Sequence, residues 1–485
     1  MSERAGPLPI APEEFQMFVT DLGLPDDWAL AVSGGPDSTA LMLLAARWAV
    51  GQGHPAPIVV TVDHRLRSDS KSEAAQVAAW AGALGLRHET LVWHGPKPHS
   101  NIQAVARHAR YGLIGQFCAN HGITAVLTGH TLNDQAETVL QRLGRGSGVD
   151  GLAAMARDGH LPVAQPDLRH IRLVRPLLGV LRERVMATLK AFDHPWIEDP
   201  SNQDMQYGRV RMRRALALLA PEGITVERLA QTAAHMARAR SALTRATDAL
   251  CAQAAVFHDA GYVRVDGAAL FTASDELALR ALSRLLMTIG GAAFPPRYDR
   301  LVRLFDAMQA DRSDHTRFGR GRTLAGCRIL SPDCHGRFLI VRELRALNQR
   351  LAAHDQTVRI GFGQTVTWDN RFQLTLAPDQ RGRNPDWNGD VRPLGRAGWR
   401  QINQTLGPDR LSHAVPHGFP HEVRATLPAL WVGDELAAAA PFGIIKNALF
   451  PGDLAAPARF DVKFIGAPGG CLVNRKDVNA GLEQS

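Results

Sequence analysis

Six consecutive residues, Ser33-Gly34-Gly35-Pro36-Asp37-Ser38, put two glycines, two hydroxyls and a carboxylate into one short stretch. Glycine admits positive φ and lets a ligand approach the backbone closely. Where such a turn opens a helix, the first amides have no intrahelical acceptor and the helix dipole favours negative charge. Together with the hydroxyls of Ser33 and Ser38, this makes a cradle for a pyrophosphate. The turn lacks the lysine of a GxxxxGK[ST] loop, and it is not GxGxxG. The same residues would also serve as an ordinary glycine turn capped by Asp37 and Ser38.

A second stretch, Gly129-His130-Thr131-Leu132-Asn133-Asp134-Gln135-Ala136-Glu137-Thr138, carries two acids three residues apart. On a helix that spacing puts both on one face. Two carboxylates near a triphosphate would suit Mg²⁺ or a substrate ammonium. Thr131-x-x-Asp134 equally resembles a capping box, and acids suit a helix N-terminus. His130 reads as a capping or core histidine as readily as a functional one. Asp63-His64-Arg65-Leu66-Arg67 has the same ambiguity, either a group reaching a nucleotide or a carboxylate capping the next helix. Arg142-Leu143-Gly144-Arg145 sets two cations at a helix end, and Arg209, Arg211, Arg213 and Arg214 form a denser run. The first pair would complement the helix dipole or meet phosphate, and the run would meet phosphate or form a solvated helix face.

These groups are positioned by an alternation of short apolar runs and helical segments. Trp28–Ser33, Ile58–Asp63, His88–Trp93, Thr124–Thr128 and Ile171–Val174 read as strands. Ser38–Val50, Ser70–Leu84, Ile102–His121, Asn133–Arg142 and Leu181–Phe192 read as the helices between and after them. That pattern predicts an α/β fold, a doubly wound parallel sheet with helices on both faces and ligands at the carboxyl ends of its strands. The fourth strand is expected beside the first, which would bring 129–137 to the 33–38 turn. The expected organisation is a leader (1–26), a catalytic domain (27–214), a mainly helical domain rich in Ala, Leu and Arg (215–345), a connector (346–385) and a small α+β C-terminal domain (386–485).

With 485 residues, 45% of them hydrophobic, the chain has material for about three cores. No run of about 18 uncharged apolar residues predicts a membrane span, and the opening stretch with Glu3, Glu13 and Glu14 does not read as a secretory signal. Five cysteines, an odd number without CxxC, point to a reducing cytoplasm, and Cys327, Cys334 and His335 lack a fourth zinc ligand. Lys+Arg exceeds Asp+Glu by 55 to 47, a net charge of +8 that permits a polyanionic partner. Arginine dominates the cations, a bias that base composition of the genome explains most simply, although its planar fork also suits phosphate.

The SGGxDS turn after a strand resembles that of the PP-loop ATP pyrophosphatases, which cleave ATP between its α and β phosphates. SGGPDS, VDHRLR, NIQAVARHARY (Asn101–Tyr111), GHTLNDQAET with RLGRG, Asp199-Pro200-Ser201-Asn202 and Arg209-Val210-Arg211-Met212-Arg213 further occur in the order seen in bacterial tRNA(Ile)-lysidine synthases. RTLAGC (Arg322–Cys327) and RPLG (Arg392–Gly395) resemble weaker landmarks of that family. Val210 stands where the family often has Asn, and Thr131 where it often has a second His.

The resemblance implies a ligase. ATP adenylates the carbonyl oxygen on carbon 2 of the wobble cytidine of a CAU-anticodon isoleucine tRNA; free L-lysine then displaces AMP to give lysidine, which reads AUA rather than AUG. It implies ATP binding by Ser33, Gly34, Gly35, Pro36, Asp37, Ser38, Asp63 and His64. Asp37, Arg110, Asp134 and Glu137 become the candidate catalytic residues, with Asp134 a candidate for Mg²⁺. Arg209, Arg211 and Arg213 become candidates for tRNA, and a homodimer stays open. A thiolase of the same superfamily would rely on catalytic cysteines, and only Cys118 precedes residue 250, among apolar helix residues. A nucleotide-binding module without chemistry is the other alternative, which fold alone does not exclude. No N-terminal cysteine is present to serve a glutaminase.

Overall fold

The computed structural model describes residues 6–66, 69–95, 102–163, 165, 168, 170–198, 208–311, 321–353, 358–377, 387–414, 419–440, 444–445 and 459–466. The chain forms two compact units, Met1–Ala242 and Leu243–Ser485.

The first unit begins with α1 (Pro12–Thr20), β1 (Trp28–Ala31), α2 (Pro36–Gln52), β2 (Ile58–Asp63), α3 (Ser70–Ala83), β3 (Arg87–Val92) and α4 (Ile102–Asn120). It continues through β4 (Ala125–Thr128), α5 (Leu132–Leu143), the short α6 (Val149–Leu152), β5 (Asp158–His160), β6 (Arg172–Val174), α7 (Arg182–Ala191), α8 (Gly208–Leu219) and α9 (Val226–Ala254), the last running past residue 242. The sheet order is β3-β2-β1-β4-β6-β5. All neighbours are parallel except the edge pair β5–β6, which is antiparallel. The alternation of strand and helix thus yields the α/β sheet expected, and the switch point lies between β1 and β4, where strand order reverses.

Alternate strand residues feed opposite faces, as the pleat requires. Leu30, Val59 and Leu127 pack with Phe15 of α1, Leu41 and Leu44 of α2, Val77 of α3 and Leu189 of α7. Ala29, Val60 and Val126 pack with Tyr111, Ile114, Phe117 and Cys118 of α4. Both faces are covered, so the central strands are apolar throughout rather than alternating. The carboxyl ends of β1, β2 and β4 then open on one edge, which is where residues 33, 63 and 129 fall.

The second unit carries β7 (Ala255–His258), β8 (Tyr262–Asp266), α10 (Gly267–Thr272), α11 (Asp275–Gly290), α12 (Tyr298–Ala310), β9 (Arg322–Leu324), β10 (Cys327–Ile329), β11 (Arg337–Arg342) and α13 (Leu344–Ala353). β12 (Val358–Gly361), β13 (Thr365–Trp368), β14 (Phe372–Leu376), β15 (Asn388–Pro393), α14 (Gly395–Ala414), α15 (His421–Arg424), β16 (Pro428–Val432), β17 (Glu435–Ala439), β18 (Ile444–Ile445) and β19 (Phe460–Phe464) follow. Its sheets run β7-β8-β11-β10-β9, β12-β15-β16-β17-β18 and β13-β14-β19. The Ala/Leu/Arg-rich stretch from 215 therefore holds a five-stranded sheet among its helices. β8 (YVRVD) shows why strand is favoured there: Val263 and Val265 are buried while Arg264 and Asp266 are exposed, a period of two.

Candidate active site

The turn after β1 is held open by its glycines. Val32 continues the sheet, its amide donating to Val60 O at 3.0 Å. Gly34 then takes φ +84°, and a Cβ there would sit 2.5 Å from Ile197 Cδ1. Its carbonyl points inward and accepts from Ile197 N (2.9 Å) and Thr39 Oγ1 (3.0 Å). Gly35 is the N-cap of α2 and Pro36 occupies its first turn, where a missing N–H is harmless. Ser38 Oγ accepts from Ser33 N at 3.2 Å, donates to Gly35 O at 3.0 Å and lies 3.3 Å from Ser33 Oγ. The amides of Asp37 and Ser38 belong to the first turn, whose donors have no intrahelical acceptor.

The turn after β4 meets this loop backbone to backbone. A Cβ on Gly129 would lie 2.5 Å from Asp37 O and 2.8 Å from Ser38 N. Only glycine lets β4 lead into α5 this close to α2, a role that motif reading did not assign to it. Leu132 N donates to Val180 O and Asn133 Oδ1 accepts from Arg182 N, both at 2.9 Å, which ties the starts of α5 and α7 together. Arg182 Nε in turn stands 3.6 Å from Asp37 Oδ1. Sequence reasoning missed Arg182, because its position follows from β6 lying beside β4.

Three carboxylates and two guanidiniums therefore share the switch point. Asp134 is buried, and its Oδ2 accepts from Thr131 N at 2.8 Å and Thr131 Oγ1 at 3.0 Å, so the capping role is realised. Glu137 is 1% exposed and its Oε1 accepts from Arg213 Nε at 2.5 Å. Asp37 Oδ1 is buried with no hydrogen-bond partner among the described residues. Burial pushes the Asp37 carboxyl up to about 6; Arg182 opposes this, Asp134 adds to it, and Arg213 and Glu137 follow with opposite signs. Burial works against the charge on Arg213, but the Glu137 hydrogen bond and the charges of Glu137, Asp134 and Asp37 hold its pKa above the ordinary value.

The other sequence candidates flank this cluster. Asp63 is buried, with Oδ1 accepting from Arg65 N at 2.8 Å. Burial tends to raise its pKa, but the Ser70 hydroxyl and the Arg65 amide hold it below the usual range. Arg110 Nε donates to His64 Nε2 at 3.3 Å, linking α4 to the end of β2, and His64 stands edge-on to Trp93. His130 Nδ1 is 2.9 Å from Thr128 Oγ1. The arginine run divides: Arg213 turns onto Glu137, whereas Arg211 and Arg214 are exposed on α8. The Arg209 side chain, Arg67, Asn101 and the segment 199–202 lie outside the described residues. At the far end of α5, Arg142 donates to Gly151 O at 2.9 Å, and burial followed by Arg240, Arg145 and Arg107 lowers its pKa.

Cys118 sits in the core of the α4 face, and burial pushes its thiol up to about 12, which leaves no thiolate near neutral pH. Cys251 and Cys327 are buried and Cys334 is exposed. Among the described residues no group of three or more His, Cys, Asp or Glu side chains gathers to hold a metal, and no helix is long and apolar enough to cross a membrane.

Residues 10–220 match the family model of the PP-loop domain. The tRNA(Ile)-lysidine synthase of Ruegeria pomeroyi is 40% identical over 425 residues, 86% of this chain and 89% of that protein. Those of Wolbachia pipientis and Anaplasma marginale are 35% and 32% identical, over 73% and 87% of this chain and 77% and 87% of theirs. Among solved structures, the U34-tRNA thiolase NcsA of Methanococcus maripaludis with its [4Fe-4S] cluster is similar at a TM-score of 0.39 and 14% identity, over 48% of this chain and 77% of that one.

Proposed function

The chain belongs to the tRNA(Ile)-lysidine synthase family, and on that footing we propose how its residues carry out ATP-dependent lysidine formation on tRNA(Ile). The observation that carries the reading is the abutment of the 33–38 turn on the 129–137 turn, which gathers Asp37, Asp134 and Glu137 at the switch point.

The ATP phosphates rest on the opening turn of α2, with Ser33 and Ser38 as hydroxyl donors and Asp63 and His64 toward the nucleoside. In the first step the carbonyl oxygen on carbon 2 of the wobble cytidine attacks the α-phosphorus. A carbon-bound oxygen becomes an adenylate ester and pyrophosphate departs. Fixed amides at a helix start stabilise that departing charge without reorganising. In the second step the ε-amine of lysine attacks carbon 2, a C–N bond forms, the C–O bond breaks and AMP leaves.

Only the neutral amine attacks, so a group must first hold the ammonium and then take a proton. Asp134 and Glu137 supply negative charge for the ammonium. One of these two carboxylates then takes the proton. Arg110 steadies the adenylate. Arg213 serves as a positioning residue that fixes Glu137, and Arg209 and Arg211 as the tRNA contacts.

Mg²⁺ fits this site through hard oxygen donors. Its usual protein share is one or two carboxylates, with phosphates and water completing the shell. Asp37, whose Oδ1 lacks a hydrogen-bond partner among the described residues, would hold it with Asp134 beside it. Bound there, it would neutralise phosphate charge. Residues 215–345 and 386–485 are assigned to holding the body of the tRNA.

Pyrophosphate release tests the reading. Continued release should require ATP, lysine and a CAU isoleucine tRNA transcript together, and ATP with the transcript but no lysine should give at most one pyrophosphate per site. Release that depends on sulfide in place of lysine would return the thiolase reading.

A further inference from the structure

We propose that the second unit has its own phosphate-binding pocket, formed by Arg297 and Arg300 over the guanidiniums of the buried Arg342 and the half-buried Arg350, with Phe294 at its rim, and that it takes a phosphate of a nucleotide unit. Its cavity is about 510 Å³, within the range that holds a small ligand. It lies wholly within 290–350, whereas the ATP turn and the acid cluster belong to the first unit.

The floor of the pocket is cationic in excess. Among the described residues a single carboxylate, Asp369, receives Arg342, Arg350 and Arg371: Arg342 Nε at 2.9 Å, Arg350 Nη1 at 3.0 Å and Arg371 Nε at 2.6 Å. Arg342 and Arg371 are 3% and 1% exposed, so solvent does little to screen the surplus. Arg342 and Arg350 also donate to the carbonyls of Gly326 (2.7 Å) and Gly291 (2.5 Å), which fixes both side chains. Their hydrogen bonds are therefore committed within the protein, and what they offer a ligand is field. Glu343, next in the chain to Arg342, does not line the cavity.

The wall offers free donors. Arg297 is the N-cap of α12 and Arg300 lies in its first turn; both are exposed and neither side chain has a hydrogen bond or ion pair among the described residues. The start of a helix favours anions, and like charges three residues apart repel. Asp299 in the same turn offsets only part of this. Two arginines at the wrong end of a helix, above a cationic floor, are a local conflict that an anion resolves. Guanidinium forks match phosphate bidentately. Phe294, 68% exposed, offers a ring face on which a base can stack.

The phosphate could belong to an RNA strand or to a free nucleotide. The RNA source rests on the function proposed above; the free one does not. Full-length protein is compared with Arg297→Ala/Arg300→Ala, with Phe294→Ala and with Arg303→Ala. The last removes one charge from the same helix outside the pocket. Labelled tRNA(Ile) binding is followed against salt, and binding of inorganic phosphate is measured in parallel without nucleotide, as the difference between wild type and the double variant, which share an unaltered catalytic site.

If RNA is the source, the double variant weakens tRNA binding about tenfold and lowers the log–log salt slope by roughly 0.7–0.9 for each phosphate no longer neutralised. Phe294→Ala then weakens binding with the slope retained, and Arg303→Ala has little effect. If a free nucleotide is the source, phosphate binding is lost in the double variant while tRNA binding holds. Unchanged binding of both probes overturns the proposal, as does an Arg303→Ala effect as large, per charge removed, as that of the double variant. Wild-type lysidine formation in the same preparation shows separately whether the functional reading stands.

Discussion

Asp37→Asn should make the first unit more stable while it removes activity. Asp37 has an ordinary pKa of 3.8 and is pushed up to about 6 in the fold, chiefly by burial. The folded state thus binds its proton more tightly than the unfolded state does. Between about pH 4 and 6 the unfolded chain holds fewer protons, so stability falls as pH rises through that window and stays low above it. At about 1.4 kcal/mol per tenfold, ionised Asp37 costs about 3 kcal/mol at pH 7.5 and about 1.5 kcal/mol at pH 5. Both figures already include Arg182 as a partner.

Asparagine keeps the shape and removes the charge, so the variant should gain up to that much at pH 7.5, about half at pH 5 and little at pH 4. Hydrogen-exchange protection of the β1 amides, compared with wild type at the same pH, reads the difference because intrinsic exchange cancels. AMP formation should fall by ~100-fold or more, as when one preorganised group is removed from a reacting centre. A variant less stable than wild type at pH 7.5, or shifted equally at pH 5 and 7.5, would refute the reasoning and make Asp37 a structural cap.

Asp134→Asn should raise the KM for lysine more than it changes ATP affinity; lost ATP binding with lysine KM unchanged would move Asp134 to the phosphates and metal. Glu137→Gln should destabilise the first unit by roughly 1.5–3 kcal/mol, the worth of a charged hydrogen bond to a buried group, and denaturant unfolding checks it. Gly129→Ala should cost about 1–3 kcal/mol and depress kcat, since its Cβ would meet the Asp37 carbonyl at 2.5 Å; normal turnover would mean the two turns can separate freely. Arg209→Ala with Arg211→Ala should weaken tRNA binding and flatten its salt dependence with ATP and lysine affinities held; an unchanged slope would place the RNA path elsewhere.

The sheet of the first unit was legible because its strands are short, apolar and punctuated by helices, and the predicted ends fall within two residues of those observed. Asp158–His160 was not, since three residues with a central glycine carry no periodicity and gain strand pairing only from β6. In the second unit, helical spacing in the flanking segments masked the alternation in Tyr262–Asp266. The turn between β1 and α2 was legible because its glycines and cap are local. Arg182 and Gly129 were not, since their roles arise where separate connections converge at the ends of β1, β4 and β6. The arginine run was read as one surface, yet residues two apart lie about 200° round a helix. Arg211 and Arg213 therefore face different surroundings, one exposed and one on Glu137.

The central claim is that one site joins ATP cleavage to attachment of lysine on tRNA. Labelled lysine, supplied with ATP and a CAU isoleucine tRNA transcript, tests it most directly, with an elongator methionine tRNA as control. The account predicts label in the isoleucine tRNA alone, with one AMP and one pyrophosphate released per lysine attached. AMP and pyrophosphate formed without label in the RNA, or equal labelling of both tRNAs, would contradict it.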